Sequence, residues 1–194
     1  MLMETHMTKE PLRILLVDDD EDDYVLTRDL LLGDSGDRFH LDWVDTYGRA
    51  VEAIERKKHD LYLFDYRLGE QTGLELLQYS IDAGIRAPII LLTAHGDRDV
   101  DMAATEMGAS DYLDKLTLNR ELLERSIRYA LERKRAEGAL RESEEKYRSM
   151  MESMDDPVYI CSPDYHVEYM NPTMIKKTGG QNAVGELCYK VLHG

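Results

Sequence analysis

Residues 14–23 read Ile14-Leu15-Leu16-Val17-Asp18-Asp19-Asp20-Glu21-Asp22-Asp23, four aliphatic side chains followed by six acids. An apolar run this short suits a strand buried on both faces of a parallel sheet. Similar runs recur at Leu61-Tyr62-Leu63-Phe64, at Ile89-Ile90-Leu91-Leu92 and, shorter, at Tyr112-Leu113. Phe39-His40-Leu41-Asp42-Trp43-Val44 alternates instead, as a strand nearer the sheet edge would. Amphipathic segments lie between the runs: Tyr24–Leu32, Arg49–Lys57, Leu74–Asp82 and Val100–Met107. Gly33, Gly36, Gly73, Gly84, Pro88, Gly96 and Gly108 punctuate them. Five strand–helix units in succession predict an α/β fold with a doubly wound, five-stranded parallel sheet and right-handed crossovers.

Composition bounds what such a chain can do. Its 194 residues suffice for one full domain and a remainder. Acids outnumber bases 39 to 24, for a net charge of -15. That field repels phosphate backbones, so nucleic-acid binding is not expected. Residues 1–131 carry a net of -13 and residues 132–194 only -2. A run of acids by itself is most simply a solvated face or loop. Cys161 and Cys188 cannot build a disulfide framework, fit a reducing compartment and read as core thiols. No signal peptide is expected from Met1–Pro11, and the aliphatic stretch Ile89–Leu92 is far too short to span a bilayer. A cytoplasmic location without a membrane partner is therefore expected.

From Asn119 to Met154 the chain has no proline, and 12 of the 21 residues from Glu132 to Glu152 are charged. Acid-first i,i+4 pairs such as Glu121/Arg125, Glu137/Arg141 and Glu144/Arg148 support a helix of about 35 residues, about 50 Å long. Leu140, Tyr147 and Met154 recur every seven residues, and Met151 adds a second seam position. Glu137 and Glu144 interrupt that second seam, and Gly138 is a candidate bend. Two readings stay open, a single solvated connector and a two-stranded coiled coil that would make the protein a homodimer; the second is preferred. After Asp155-Asp156-Pro157, two short strands are expected at Val158–Ile160 and Val167–Met170, around a turn at Ser162-Pro163-Asp164.

Ligands of open α/β sheets gather outside the carboxyl ends of the strands. The residues just after each run are Asp18 and Asp19, then Asp65, Thr93 and Lys115. Carboxylates about 4 Å apart interact by about 4 kcal/mol at an effective dielectric near 20. Three of them together raise one another's pKa or require a cation. All-oxygen ligation points to Mg2+ rather than zinc. A carboxylate beside a cation, an ammonium and a hydroxyl suits phosphoryl chemistry, with Asp65 on the central strand as nucleophile.

The segments Val17-Asp18-Asp19, Leu63-Phe64-Asp65 with Gly73 eight residues later, Leu92-Thr93-Ala94 and Gly108–Lys115 together resemble the receiver domain of two-component response regulators. The resemblance covers about residues 11–133 and implies the flavodoxin-like receiver fold. It implies that Asp65 accepts a phosphoryl group from a histidine kinase or a histidine phosphotransfer protein. It further implies that Asp18, Asp19, Asp65 and the backbone carbonyl of Arg67 hold Mg2+, and that Thr93 and Lys115 contact the phosphoryl group. Tyr112 falls at the family's switch aromatic, and Arg67 and His95 at positions that tune dephosphorylation. Two positions depart from the pattern: Leu116 replaces the usual proline after the lysine, and Gly69 replaces the common proline after the acceptor loop. The first puts a cis peptide at Lys115–Leu116 in question. Asp156-Pro157-Val158, Asp164, Val167, Tyr169, Asn171, Gly179 and Gly185 resemble the start of a PAS sensor domain, too short to bind a ligand or haem.

The expected organisation is an N-terminal tail (1–10), a receiver core (11–118), a fifth helix continuing into a connector (119–154), and an incomplete, partial α+β PAS segment (155–194). The expected function is a phosphorylatable switch, not an enzyme in its own right, whose change is relayed through the connector. Two alternatives compete. One is a degenerate receiver used only for protein contacts. The other is an aspartyl-phosphate phosphatase, suggested by Asp18-x-Asp20 but disfavoured by Asp22, where that class would place Thr or Val.

Overall fold

The computed structural model describes residues 10–33, 38–94, 106–179 and 183–193. Five strands form one parallel sheet: β1 (Leu12–Val17), β2 (Phe39–Val44), β3 (Leu61–Asp65), β6 (Ile89–Thr93) and β7 (Asp111–Asp114). Their order is β2-β1-β3-β6-β7. The chain leaves β1 toward β2 on one side and returns to pair β3 on the other, so the order reverses between β1 and β3. Every residue of β3 and of β6 is buried, while β2 is only half-buried at the edge. That burial is why the central strands are continuously apolar and β2 alternates.

Helices α1 (Glu21–Leu32), α2 (Tyr47–Glu55) and α3 (Gly73–Asp82) cover the sheet. On one face Ala50, Ile54, Leu76 and Leu77 pack over Leu15, Val17, Tyr62, Phe64 and Leu91. On the other, Leu31 with Leu123, Ile127 and Ala130 packs over Ile14, Leu16, Leu63, Ile90 and Leu92. Local chemistry starts the helices. Asp20 caps α1 by accepting from the Asp22 N–H at 2.8 Å, and acids at Glu21, Asp22 and Asp23 suit the positive end of its dipole. Thr72 and Glu75 form a reciprocal capping box on α3. A two-strand hairpin not expected from the sequence, β4 (Arg67–Leu68) with β5 (Gln71–Thr72), follows β3 and turns at Gly69, whose φ is +66°. The expected helix at Val100–Met107 lies almost wholly outside the described residues.

The expected long helix is α4, Arg120–Glu152, 33 residues that run through Gly138 without interruption. Leu122 N–H donates to the Asn119 side chain at its start. Its Leu123, Ser126, Ile127 and Ala130 are buried. Leu140, Tyr147, Met150 and Met154 are exposed, whereas Met151 is half-buried. The chain divides into compact units Met1–Arg135 and Ala136–Gly194. In the second, β8 (Tyr159–Cys161) pairs antiparallel with β9 (Val167–Met170), followed by α5 (Pro172–Lys177) and α6 (Cys188–His193). Val167, Met170, Met174 and Ala183 form its small core. Asn171, fully buried, holds this unit together. Its side-chain amide donates to the carbonyls of Met151, Met154 and Asp156, and its carbonyl oxygen accepts from the N–H of Val158 and Met174. No helix among the described residues is long and apolar enough to cross a membrane.

Candidate functional site

The sheet's carboxyl edge brings the strand-end residues together at the reversal point. Asp18 follows β1 and is fully buried; its N–H donates to the Val44 carbonyl at 3.1 Å, extending the β1–β2 ladder by one residue. Its carboxylate accepts from the Asp20 N–H at 3.1 Å and from Lys115 Nζ at 2.8 Å. Asp65 ends β3; one oxygen accepts from the Arg67 N–H at 3.0 Å and the other lies 2.6 Å from Lys115 Nζ. Asp19, exposed, accepts from the Gly69 N–H at 2.9 Å. A proline at residue 69 has no N–H to give, so the departure noted there supplies a hydrogen bond. A cavity of about 350 Å3 lies over Asp18, Asp19, Asp23, Asp65, Thr93 and Lys115.

Thr93 ends β6 and is buried, and its carbonyl accepts from the Lys115 N–H at 2.7 Å. Tyr112 pairs with Leu91 in the β6–β7 register, so it shares a sheet face with Thr93, two residues on. Arg67 lines the cavity, and its N–H is the one that reaches Asp65. His95 lies outside the described residues. Leu116 is largely exposed, and no cis peptide occurs among the described residues.

Two contacts escaped the sequence reading. Asp23, part of the acid run whose simplest reading is a solvated face or loop, reaches Lys115 Nζ at 2.7 Å. Its position one turn into the helix that follows Asp18 and Asp19 was the only available signal. The second is Trp43, whose indole N–H donates to the Asp18 carbonyl at 2.9 Å. Nothing in a lone tryptophan on an edge strand announces that partner.

Burial pushes the Asp18 carboxyl up to about 6, although Lys115 works against the rise. Burial likewise raises Asp65, again opposed by Lys115. Burial disfavours the Lys115 ammonium, but Asp18, Asp23 and Asp65 together outweigh it and lift its pKa. Lys115 therefore stays charged, and three aspartates, Asp18, Asp23 and Asp65, surround its ammonium. Among the described residues, Asp18, Asp19 and Asp65 form a group whose ligand oxygens lie within 4.8 Å of one another. An all-oxygen set with surplus negative charge fits a hard divalent cation such as Mg2+.

Gly73 explains the close approach of α3. A Cβ there would lie 2.3 Å from the Asp65 carbonyl oxygen, so only glycine lets the helix start beside β3.

Known proteins agree with this architecture. A family model described as the response regulator receiver domain matches residues 14–127, and one described as a PAS domain matches residues 145–193. The response regulator RppA of Synechocystis sp. is 32% identical over 116 residues, 59% of this chain and 48% of that protein. The regulatory protein LuxO of Vibrio cholerae is 39% identical over 72 residues, 37% of this chain and 16% of that protein. This chain thus spans about half or less of these curated relatives. The crystal structure of a CheY-like response regulator receiver domain protein from Methanospirillum hungatei superposes with a TM-score of 0.58 at 26% identity, covering 66% of this chain and 98% of the other.

Proposed function

From the premise that this chain belongs to the response regulator receiver family, we propose that it is a phosphorylatable switch with Asp65 as acceptor. The partner is a histidine kinase or a histidine phosphotransfer protein. An Asp65 carboxylate oxygen attacks phosphorus, the P–N bond to the donor imidazole breaks, and its electron pair stays with the leaving nitrogen. Asp18, Asp19, Asp65 and the Arg67 carbonyl hold Mg2+, which neutralises phosphoryl charge when bound.

This chain's own groups do the rest. Lys115, 2.6 Å from Asp65, compensates charge on a phosphoryl oxygen. The Thr93 hydroxyl donates to another, drawing Tyr112 with it on the shared sheet face. Arg67 and His95 set the rate of dephosphorylation. The product is a slowly self-hydrolysing aspartyl phosphate, so the chain acts as a switch rather than an enzyme. The working division is a tail (1–10), receiver core (11–118), helix and connector (119–154) and PAS segment (155–194), with the change relayed along α4. The exposed Leu140, Tyr147 and Met154 support a homodimer through the connector. A cytoplasmic location fits these partners.

One observation carries the reading: Asp18 and Asp65, far apart in sequence, both lie within 2.8 Å of Lys115 Nζ at the strand ends. Acetyl phosphate with Mg2+ is expected to place a hydroxylamine-sensitive acyl phosphate on the wild type and none on Asp65→Asn. Undiminished label on Asp65→Asn would overturn it.

A further inference from the structure

Trp43 is the single tryptophan of the chain and the second-last residue of β2. Its backbone pairs with Leu16, one rung before the Val17–Val44 pair. Beyond that rung the Asp18 N–H still finds the Val44 carbonyl, at 3.1 Å. The Asp18 carbonyl has left the strand ladder, and it accepts from the Trp43 indole N–H at 2.9 Å. Both backbone polar groups of Asp18 are thereby held by β2, one by main chain and one by the side chain.

The indole is itself held. Tyr24 of α1 stacks on it with ring centroids 4.4 Å apart and planes 9° from parallel. The Arg28 guanidinium covers Tyr24, 5.6 Å from its centroid. Tyr24 directly follows Asp23, which reaches Lys115 at 2.7 Å. The stack thus ties the first turn of α1, the end of β2 and the end of β1 into one unit.

The carbonyl that Trp43 grips belongs to the peptide plane joining Asp18 to Asp19. Fixing that plane fixes the direction in which the chain launches the Asp19 side chain. Asp19 is exposed, and among the described residues the Gly69 N–H, at 2.9 Å, is the donor that orients its carboxylate. The direction of this ligand pair therefore depends on the plane between them. Among aromatic side chains only indole offers a ring N–H that donates without also accepting.

We propose that Trp43 is a positioning residue for divalent-cation binding: its N–H preorganises the Asp18–Asp19 peptide so that both carboxylates meet the ion in one arrangement. The proposal rests on the reading that Asp18 and Asp19 hold the cation. Trp43 touches neither ion nor phosphoryl group; it acts through the ligands' backbone, as outer-shell partners of metal sites do.

The test replaces only the donor. In the full chain, Trp43 is substituted by benzothienylalanine, which keeps the bicyclic shape and the Tyr24 stack but has sulfur in place of N–H; Trp43→Phe is the genetic counterpart. Mg2+ is titrated calorimetrically into wild type and variants, and melting points are taken in EDTA. The expected result is a Mg2+ Kd about tenfold weaker in the benzothienylalanine chain, with its EDTA melting point within about 2 °C of wild type. An unchanged Kd overturns the proposal, whatever the melting point does, because Trp43 would then serve packing alone. Absence of Mg2+ binding by the wild type would instead refute the cation site itself, and the proposal with it. If Trp43→Phe fails to fold, the benzothienylalanine chain decides.

Discussion

Gly73→Ala is expected to loosen the contact between α3 and β3. An added Cβ would sit 2.3 Å from the Asp65 carbonyl oxygen, 3.1 Å from its carbonyl carbon and 3.1 Å from Leu91 Cδ2. Non-bonded carbons are comfortable near about 3.5 Å, so α3 and β3 must part by about 1 Å. They cannot slide freely, because the Gly73 N–H is tied to the Tyr66 carbonyl at 2.8 Å. Overpacking of this kind costs about 1–3 kcal/mol. Gly73 does not use the left-handed region, so the cost is steric, and alanine's better helix propensity returns up to about 1 kcal/mol. A net loss of about 1–2 kcal/mol remains. Trp43 lies in the same compact unit, so its emission follows urea unfolding there. With a slope of about 1–3 kcal/mol per molar urea, the midpoint is expected to fall by about 1 M. Displacing the acceptor by about 1 Å is also expected to slow labelling by acetyl phosphate about tenfold or more. Gly48→Ala is the control: Gly48 lies in α2 with nothing within 4 Å of the place an added methyl would take, and its midpoint is expected to rise. A Gly73→Ala midpoint equal to wild type, or raised as in Gly48→Ala, would refute the steric reasoning.

Lys115→Met removes the ammonium that lies 2.8, 2.7 and 2.6 Å from Asp18, Asp23 and Asp65. In EDTA at pH 7.5 a loss of about 3–5 kcal/mol is expected, because the buried carboxylates are left uncompensated. Millimolar Mg2+ is expected to restore part of it; melting curves that match wild type in EDTA would contradict this. Stability against pH gives an independent check. Asp18 is pushed up to about 6 from 3.8, so the metal-free folded chain binds more protons than the unfolded chain between those values. Its stability should therefore fall as pH rises from about 4 to 6, by up to about 3 kcal/mol from this group. Asp65, raised by the same burial, adds a slope of the same sign. Urea midpoints at pH 4.5, 5.5 and 6.5 should drop progressively relative to those of Asp18→Asn. Parallel profiles would show that Asp18 does not titrate in this window.

Much of this architecture was legible because burial writes itself into composition. β3 and β6 are buried on both faces, so their runs had to be continuously apolar, and β2, at the edge, had to alternate. The strand-end rule then placed Asp18, Asp19, Asp65, Thr93 and Lys115 on one edge without side-chain geometry. The β4–β5 hairpin was not legible: each strand has two residues, too few for any periodicity. The seam of α4 was legible only in part. Leu140, Tyr147 and Met154 are exposed as a seam would be, but Met150 is more exposed than Met151, which the heptad count preferred.

The acid run at residues 18–23 marks the division between what sequence and folding each decide. Sequence alone determined that acids follow a buried strand, and so that Asp18 and Asp19 stand at the sheet's carboxyl edge. It could not assign the later acids, because chain proximity says nothing about which side of a helix turn meets a residue 92 positions away. Only the folded chain makes Asp20 a cap, turns Asp23 onto Lys115 and brings Trp43 to the Asp18 carbonyl. Hydrophobic pattern is a local record of burial and survives in one dimension. Hydrogen bonds and ion pairs between side chains depend on directions and separations of a few ångströms, which exist only after the sheet has closed.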